Sequence, residues 1–473
     1  MTNTAEECLN AYILTFNCAR NLIHTDRFAA HLFDVLPPAT ATTAPEILVL
    51  SLQEVAPIYY AFLGGSFLVS YFRAFQKAVD VAARNRWPRA SGDEEDDGVG
   101  YVNVVTHHCG LTALMVFARS DVADSISWTD TAEVGVGLQD MGNKGAVGAR
   151  LGYDAHGHET MELTFVAAHI APMEDAYERR NQDWRRIVER LVFTKSEDGQ
   201  DEEGEEPSED TAHLLHQTRR DVESGMFSPR SHLFFAGDLN YRTSDVPPKP
   251  EDHARYPQPH ATPSDASHLS KLLKNDQLTR ELRAKRTLHG LSEAPITFPP
   301  TYKYSDEAQK AASLPEQAQD RPDGVWKWAT KRWPSWCDRI LYLEYPPWVT
   351  TSTKKGGSST IQVQGYNALP LFPTSDHRAV ALAVSVPLRA IISPSQAEDV
   401  DDIRLHPPFP IDPSWRARRE NARIKEVVVG GLAYLALTWE GNGILLATVA
   451  GIFGGWIVLR SLLQGEVSEG MVF

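Results

Sequence analysis

The stretch "FFAGDLNYR", Phe234 to Arg242, sets the problem for this chain. An apolar run passes straight into Gly-Asp-Leu-Asn. Residues i and i+2 of an extended segment point the same way. Asp238 and Asn240 are therefore expected to face one point just beyond the end of a buried strand. A site that handles metal or phosphate needs that arrangement. An ordinary polar turn has the same look, so the rest of the chain must decide.

The same texture recurs along the sequence. Short apolar, β-branched runs at 11–17, 46–54, 101–108, 111–119, 145–153, 162–170, 232–240, 337–345 and 377–386 read as strands. Many are apolar on both faces, as strands covered from both sides must be. In 176–193, Trp184, Ile187, Val188 and Leu191 follow the i, i+3, i+4, i+7 spacing of a helix with one buried face. A second helix is expected over 266–285. So many strands in about 390 residues predict an α/β fold of two packed sheets flanked by helices. The polar, Pro-rich or acidic segments 89–99, 195–212, 243–263 and 305–325 read as loops or insertions.

Composition excludes little. The 473-residue chain carries a net charge of −16. Fourteen acids lie in two runs, "DEEDD" (93–97) and "EDGQDEEGEEPSED" (197–210); without them −16 becomes −2, and the folded body is close to neutral. Such runs read as solvated loops. The cysteines at 8, 18, 109 and 337 form no C-x-x-C pair, which fits a reducing compartment and argues against a zinc site or a disulfide framework.

What ends each run is more informative. Asn17, Glu54, His169, Asp238 and Asn240 close strands; Asp338 and the pair Asp376-His377 open them. Any one of these is an unremarkable surface or core residue. Two stacked sheets, however, can bring all of these ends to one rim. Carboxylates, amides and two imidazoles without thiolates favour a hard ion such as Mg²⁺ over zinc.

The motifs "NKGAVGAR" (143–150), "AAHIAPMEDAYERRN" (167–181), "FFAGDLNYR", "FPPTYKY" (298–304), "PSWCDRILY" (334–342) and "TSDHRAV" (374–380) resemble, in order and style, those of the inositol polyphosphate 5-phosphatases. These are members of the Mg²⁺-dependent endonuclease/exonuclease/phosphatase superfamily related to DNase I. The resemblance implies a four-layered α/β sandwich and a catalytic domain over 1–387. It implies Asp238 as general base and Asn240 as holder of the phosphate or the attacking water. His377 would bind the scissile phosphate, oriented by Asp338, with His169 on the other side. Glu54, Asn17 and Asp376 would serve Mg²⁺. Substrate contacts would come from Tyr302 and Lys303 on the phosphate next to the one removed, from Lys331 or Arg332 as a second cation, from Asn143 and Lys144 near the 1-phosphate, and from Arg339. The family's usual Trp before the first Asn is Phe16 here.

The implied reaction is Mg²⁺-dependent removal of the 5-phosphate from phosphatidylinositol 4,5-bisphosphate or related lipids. A superfamily nuclease or sphingomyelinase is the runner-up, against which FPPTYKY argues. A lipid-binding scaffold without activity is the alternative of another class. No nucleic-acid partner and no oligomer is predicted.

Beyond 388 the texture changes again. The segment 388–426 is Pro-rich and acidic, then basic at Arg416, Arg418, Arg419, Arg423 and Lys425, and reads as a linker. Residues 427–460 are expected to anchor the chain in a membrane as one span or a hairpin. The apolar run 443–459 would extend roughly 25 Å at about 1.5 Å per residue, enough for a thin bilayer such as that of the endoplasmic reticulum. Segment 427–439 is too short to span alone, and a hairpin would turn at Glu440-Gly441-Asn442. Ala447, Gly451 and Gly455 form a small-residue stripe that permits close helix packing. The basic cluster places the domain in the cytosol by the positive-inside rule. This layout resembles a fungal tail-anchored member of the family in the endoplasmic reticulum.

Overall fold

The computed structural model describes residues 7–36, 43–88, 98–154, 159–195, 224–314, 324–350, 360–394 and 400–469. Both acidic runs, 93–97 and 197–210, lie outside the described residues.

The alternation of apolar side chains builds two mixed sheets. The first contains β12 (Gln362–Ala368), β13 (Val380–Pro387), β1 (Cys8–Asn17), β2 (Ile47–Gln53), β4 (Thr112–Arg119) and β3 (Tyr101–Cys109), in that order across the sheet. The second runs β10 (Leu291–Ser292), β11 (Asp338–Leu343), β9 (Ser231–Asp238), β7 (Met161–His169), β6 (Gly145–Tyr153), β5 (Ile126–Gly135), β8 (Thr194–Lys195). Ile13, Val49, Leu114 and Leu382 of the first sheet meet Val147, Phe165, Phe234 and Ile340 of the second in the central core. The alternate residues face outward. Leu14, Phe16 and Leu50 pack under helices Thr25–His31 and Val69–Arg86, and Val166, Phe235 and Leu341 under helix Tyr177–Arg190. The result is helix, sheet, sheet, helix, as expected. Each fully buried Leu, Ile or Phe contributes about 1.5–3 kcal/mol to holding these layers.

Helix Tyr177–Arg190 buries Trp184, Ile187 and Val188, the stripe read from the sequence. The helix expected over 266–285 is instead two, Leu269–Leu273 and Gln277–Arg283. Asp276 breaks it: its carboxylate accepts from the Thr279 N–H at 2.9 Å and caps a new start. Within the loop expected at 305–325, Ser305 caps a helix over Asp306–Ala312.

The segment 388–426 departs most from expectation. Ile391 is in the central core. Buried Arg404 donates to the Glu344 carbonyl, Ile403 and Phe409 pack on the outer core, and the Asp412 N–H donates to the Glu189 carbonyl at 2.7 Å. Its described part is bound to the fold rather than free. Nor do 427–439 stand alone, because they continue a helix that starts in the basic cluster, Trp415–Leu437. A second helix, Trp439–Glu469, follows; its stretch Trp439–Leu462 is long and apolar enough to cross a membrane, and its most apolar 18 residues are not buried. The break falls at Thr438, which is extended (φ −105°, ψ 154°), just before the turn expected at 440–442.

Candidate active site

Register explains why the strand ends meet. β1 and β2 are parallel with Asn17 opposite Gln53, so both chains leave the first sheet on one side. β7 and β9 are parallel with His169 opposite Asp238, and β11 runs antiparallel so that its first residue, Asp338, also faces Asp238. The segment before β13 returns to the end of β1, where the Ser375 hydroxyl donates to the Asn17 carbonyl at 2.6 Å. Gly237 permits the closest approach: a Cβ there would lie 2.0 Å from the Ala168 carbonyl oxygen.

Asp238 is the hub. Its Oδ2 accepts from Asn17 Nδ2 at 2.9 Å and lies 3.4 Å from His169 Nε2 and 4.0 Å from His377 Nε2. Its Oδ1 accepts from the Asn240 N–H at 3.1 Å. The pairing of Asp238 with Asn240 therefore comes from a turn and not from strand alternation: β9 ends at Asp238, and Asn240 is left-handed (φ 55°). The Asn240 amide donates to the Ile170 carbonyl at 3.2 Å.

A second carboxylate holds the imidazole opposite. Asp338 Oδ2 lies 2.9 Å from His377 Nδ1 and accepts from the Thr301 hydroxyl at 2.6 Å. The Tyr302 ring packs on His377, centroids 4.6 Å apart, and the Arg242 guanidinium lies over the same Tyr302 ring, 4.5 Å from its centroid.

Burial and charge set the protonation states. Burial pushes the His377 imidazole down, but the Asp338 carboxylate overrides it and lifts the pKa to about 9. Burial pushes Asp338 up, opposed by His377. Burial also raises Asp238, yet His169, His377 and Lys144 together hold it well below the usual carboxylate range. His169 is lowered by burial and by Lys144, against the opposing pull of Asp238 and Glu54. Glu54 is lowered: His169, Lys144 and Arg20, whose Nε donates to its Oε2 at 2.7 Å, outweigh its burial.

Among the described residues Asp238, Asp338 and His377 form a cluster compact enough to hold a metal. Its hydrogen bonds argue otherwise, because Asp338 Oδ2 is already shared between His377 and Thr301. The oxygen-rich side of the rim, with the ionised Glu54 carboxylate and the Asn17 amide, is the better fit for a hard divalent cation.

The expected substrate contacts divide. Lys144 turns inward, its ammonium against the His169 ring, and burial lowers its pKa although Asp238 and Glu54 face it. Asn143 is used locally, its side-chain oxygen accepting from the Leu138 N–H at 3.2 Å. Lys303 pairs with Asp376 at the rim, and this pairing outweighs burial to raise the lysine's pKa. Arg332 is close enough to Lys303 to oppose its charge, and it lies 3.5 Å from Glu174; Lys331 is exposed. Arg339 is a correction. It points away from Asp338, as strand alternation demands, and is buried in ion pairs with Asp276 (3.1 Å) and Glu293 (2.5 Å). Thr301 and Arg242 escaped the sequence reading as site residues; both stand inside motifs it used, one residue before Tyr302 and four after Asp238.

A family description, Endonuclease/Exonuclease/phosphatase family 2, matches residues 14–383, and the chain belongs to this family. Its relatives there are inositol polyphosphate 5-phosphatases. It is 27% identical over 389 residues to Type II inositol polyphosphate 5-phosphatase 15 of Arabidopsis thaliana, covering 80% of this chain and 31% of that protein. It is 27% identical over 295 residues to Phosphatidylinositol 3,4,5-trisphosphate 5-phosphatase 2B of Danio rerio, covering 60% and 19%. The chain thus spans less than a third of the length of these curated relatives. The inositol polyphosphate 5-phosphatase domain of SPsynaptojanin, solved with inositol (1,4)-bisphosphate and calcium ion, shares the fold at TM-score 0.53 and 21% identity, over 89% of this chain and 91% of that one.

Proposed function

We propose that this chain is a phosphomonoesterase that removes the 5-phosphate from phosphatidylinositol 4,5-bisphosphate, with Mg²⁺, at the cytosolic face of the membrane that holds its C-terminal helix, that of the endoplasmic reticulum. The observation that carries the reading is the convergence of Asn17, Glu54, His169, Asp238, Asp338 and His377 on one rim, inside the segment that matches the family.

Hydrolysis needs a water in line with the leaving oxygen, neutralisation of charge on the non-bridging oxygens, and little else from the protein. Asp238 orients the water and accepts its proton as the oxygen–phosphorus bond forms and the bond to the inositol oxygen breaks; the departing inositol oxygen takes up a proton from solvent water. Asn240 helps to hold the scissile phosphate. His377, charged at neutral pH and aimed by Asp338, donates to a non-bridging oxygen, and His169 and Lys144 hold the phosphate from the other side. A Mg²⁺ held by Glu54 and Asn17 would supply further positive charge to that phosphate when bound. Lys303 would leave Asp376 for the 4-phosphate, with Arg332 as the second cation and Tyr302 as the wall between the two phosphates. The test is a phosphate-release panel over phosphoinositides and soluble inositol phosphates, with and without Mg²⁺; no phosphate released from any of them, together with cleavage of abasic DNA or sphingomyelin, would overturn the reading.

Two expectations follow from these contacts. Lys303→Ala should cost about 1.5–3 kcal/mol of transition-state binding on substrates with a 4-phosphate, and much less on a 5-monophosphate lipid. Comparison of kcat/KM on the two decides, and an equal loss removes Lys303 as the reader of that phosphate. The second expectation concerns pH. His377 carries its proton below about 9, so turnover should fall as pH rises through that value. The contribution of the His377–Asp338 pair to stability has the same sign, full below the unfolded histidine's pKa of about 6.5 and lost as pH rises through the folded one. Asp338→Asn removes the largest raising influence, so the alkaline limb should move down toward about 6.5; an unmoved limb in kcat would assign it to another group.

A further inference from the structure

The helix Trp415–Leu437 lies beyond the segment that matches the family, yet its one buried carboxylate reaches back toward the rim. Glu426 is fully buried. Its Oε1 accepts from the Gly142 N–H and from Arg419 Nη1, both at 2.7 Å. Its Oε2 accepts from Arg419 Nη2 at 3.1 Å and Arg423 Nη1 at 3.4 Å. These arginines hold the catalytic fold in turn. Arg419 donates to Glu133 at 2.5 Å, and Arg423 to the carbonyls of Phe62 and Leu63 at 2.6 and 3.0 Å. Gly430 lets the helix backbone close on that same turn, since a Cβ there would lie 2.9 Å from Phe62 Cβ. Tyr434 stacks edge-on against Phe67, centroids 5.5 Å apart.

Gly142 is not an arbitrary contact. It begins the turn Gly142–Asn143–Lys144 that enters β6, and the Lys144 ammonium lies against His169 in the site. The turn has no slack. The Gly142 carbonyl accepts from the Leu111 N–H at 2.9 Å, the Lys144 carbonyl from Val136 and Gly137 at 2.8 and 3.1 Å, and a Cβ on Gly142 would fall 2.8 Å from the Gly110 nitrogen. One carboxylate thus joins the helix leading to the apolar C-terminal segment to the backbone two residues from an active-site cation.

We propose that Glu426 is a positioning residue for the phosphatase reaction, and that helix Trp415–Leu437 is a built-in activating element that holds Lys144 in register with His169 and Asp238. The proposal rests on the function read above. If Glu426 merely fastened the helix to the domain, its loss would lower thermal stability and leave the folded enzyme's kcat alone. If it positions the turn, kcat must fall, because small displacements of a group near the reacting phosphate are costly.

The test uses the full chain in mild detergent with a water-soluble inositol phosphate bearing 4- and 5-phosphates. Glu426→Ala is expected to lower kcat at least ~10-fold under conditions where circular dichroism shows it folded. Glu426→Gln, which keeps an acceptor for the Gly142 N–H, should recover much of that loss. Gly430→Leu, which pries the helix from Phe62, should act like Glu426→Ala, and the exposed Glu420→Ala should behave as the parent. Amide exchange over residues 136–146 should quicken in Glu426→Ala. If Glu426→Ala and Gly430→Leu melt earlier but turn over like the parent, the helix is a fastening only and the proposal fails. A parent that releases no phosphate overturns the functional reading and the catalytic part of the proposal with it. Exchange then judges the contact by itself, and unchanged exchange in Glu426→Ala overturns that too.

Discussion

Asp238→Ala is expected to lower kcat by about 10²–10⁴, the usual loss when a positioned acid–base group is removed. The carboxylate is buried and held by Asn17, His169 and the Asn240 N–H, so no neighbouring acid is free to replace it. Asp338 is committed to His377 and Thr301 on the opposite side. On the proposed mechanism the lowered proton affinity of Asp238 would make it a weak base that takes the proton late, once the bond to phosphorus is forming. Asn240→Ala should follow at a smaller loss, since its amide also fixes the backbone at Ile170. Melting curves show whether each variant is folded, and a folded Asp238→Ala enzyme with near-normal turnover would refute the assignment.

Removing residues 438–473 should move the protein from a carbonate-resistant membrane fraction to the soluble fraction, with its activity on a short-chain, water-soluble phosphatidylinositol 4,5-bisphosphate retained. Trp439–Leu462, in which an 18-residue window has a mean hydropathy of 1.8, is 24 residues long. At about 1.5 Å per residue it covers a hydrocarbon core of about 30 Å. Its apolar side chains face outward along the whole length, with Leu446 and Ile452 72% and 69% exposed, a surface that water does not tolerate on an isolated helix. The cut belongs after Leu437. A cut after Glu426, where the sequence seemed to divide, removes Gly430 and Tyr434 from the docked helix and should also cost activity. A cytosolic orientation would draw on fewer charges than the basic cluster suggested, because Arg418, Arg419 and Arg423 pair with the domain or within the helix. If the full chain washes off membranes at high pH, the terminal helix does not insert.

The legible part of this molecule was local. A run of apolar residues ending in a polar one is visible in the sequence, and β-sheet register then does the gathering without further instruction, as with His169 and Asp238. What could not be read were partnerships between distant segments. Nothing in the sequence singles out Glu426, next to the basic cluster, because its acceptor role depends on Gly142, 284 positions earlier. Asp276 looked like an interior helix residue until its tie to Arg339 gave it a reason to stop the helix. The misplacement of Arg339 was avoidable: on a strand, a neighbour of Asp338 cannot share its face. Lys303 was expected to be free for substrate, and its partner Asp376 to serve a metal; each motif was read alone, and the ion pair joins the two.

Thr438 has a consequence of its own. It is a single extended residue between two helices, with Asn442 N–H on its carbonyl at 3.0 Å and Gly441 N–H on its hydroxyl at 3.0 Å. With the second helix in a bilayer, the catalytic body has no leash. The chain from 388 to 414 lends no reach, because the helix after it is fastened back onto the body. An enzyme on a slack tether can sweep a wide area and act on an apposed membrane; on the function proposed above, this one would work only on lipids beneath its own footprint, with a radius on the order of 20 Å for a domain of this size. Its substrate supply is then set by lateral diffusion of lipid, not by tether length. A Gly-Ser insertion between Leu437 and Thr438 would change the geography of the reaction from one leaflet to two facing ones while leaving its chemistry untouched.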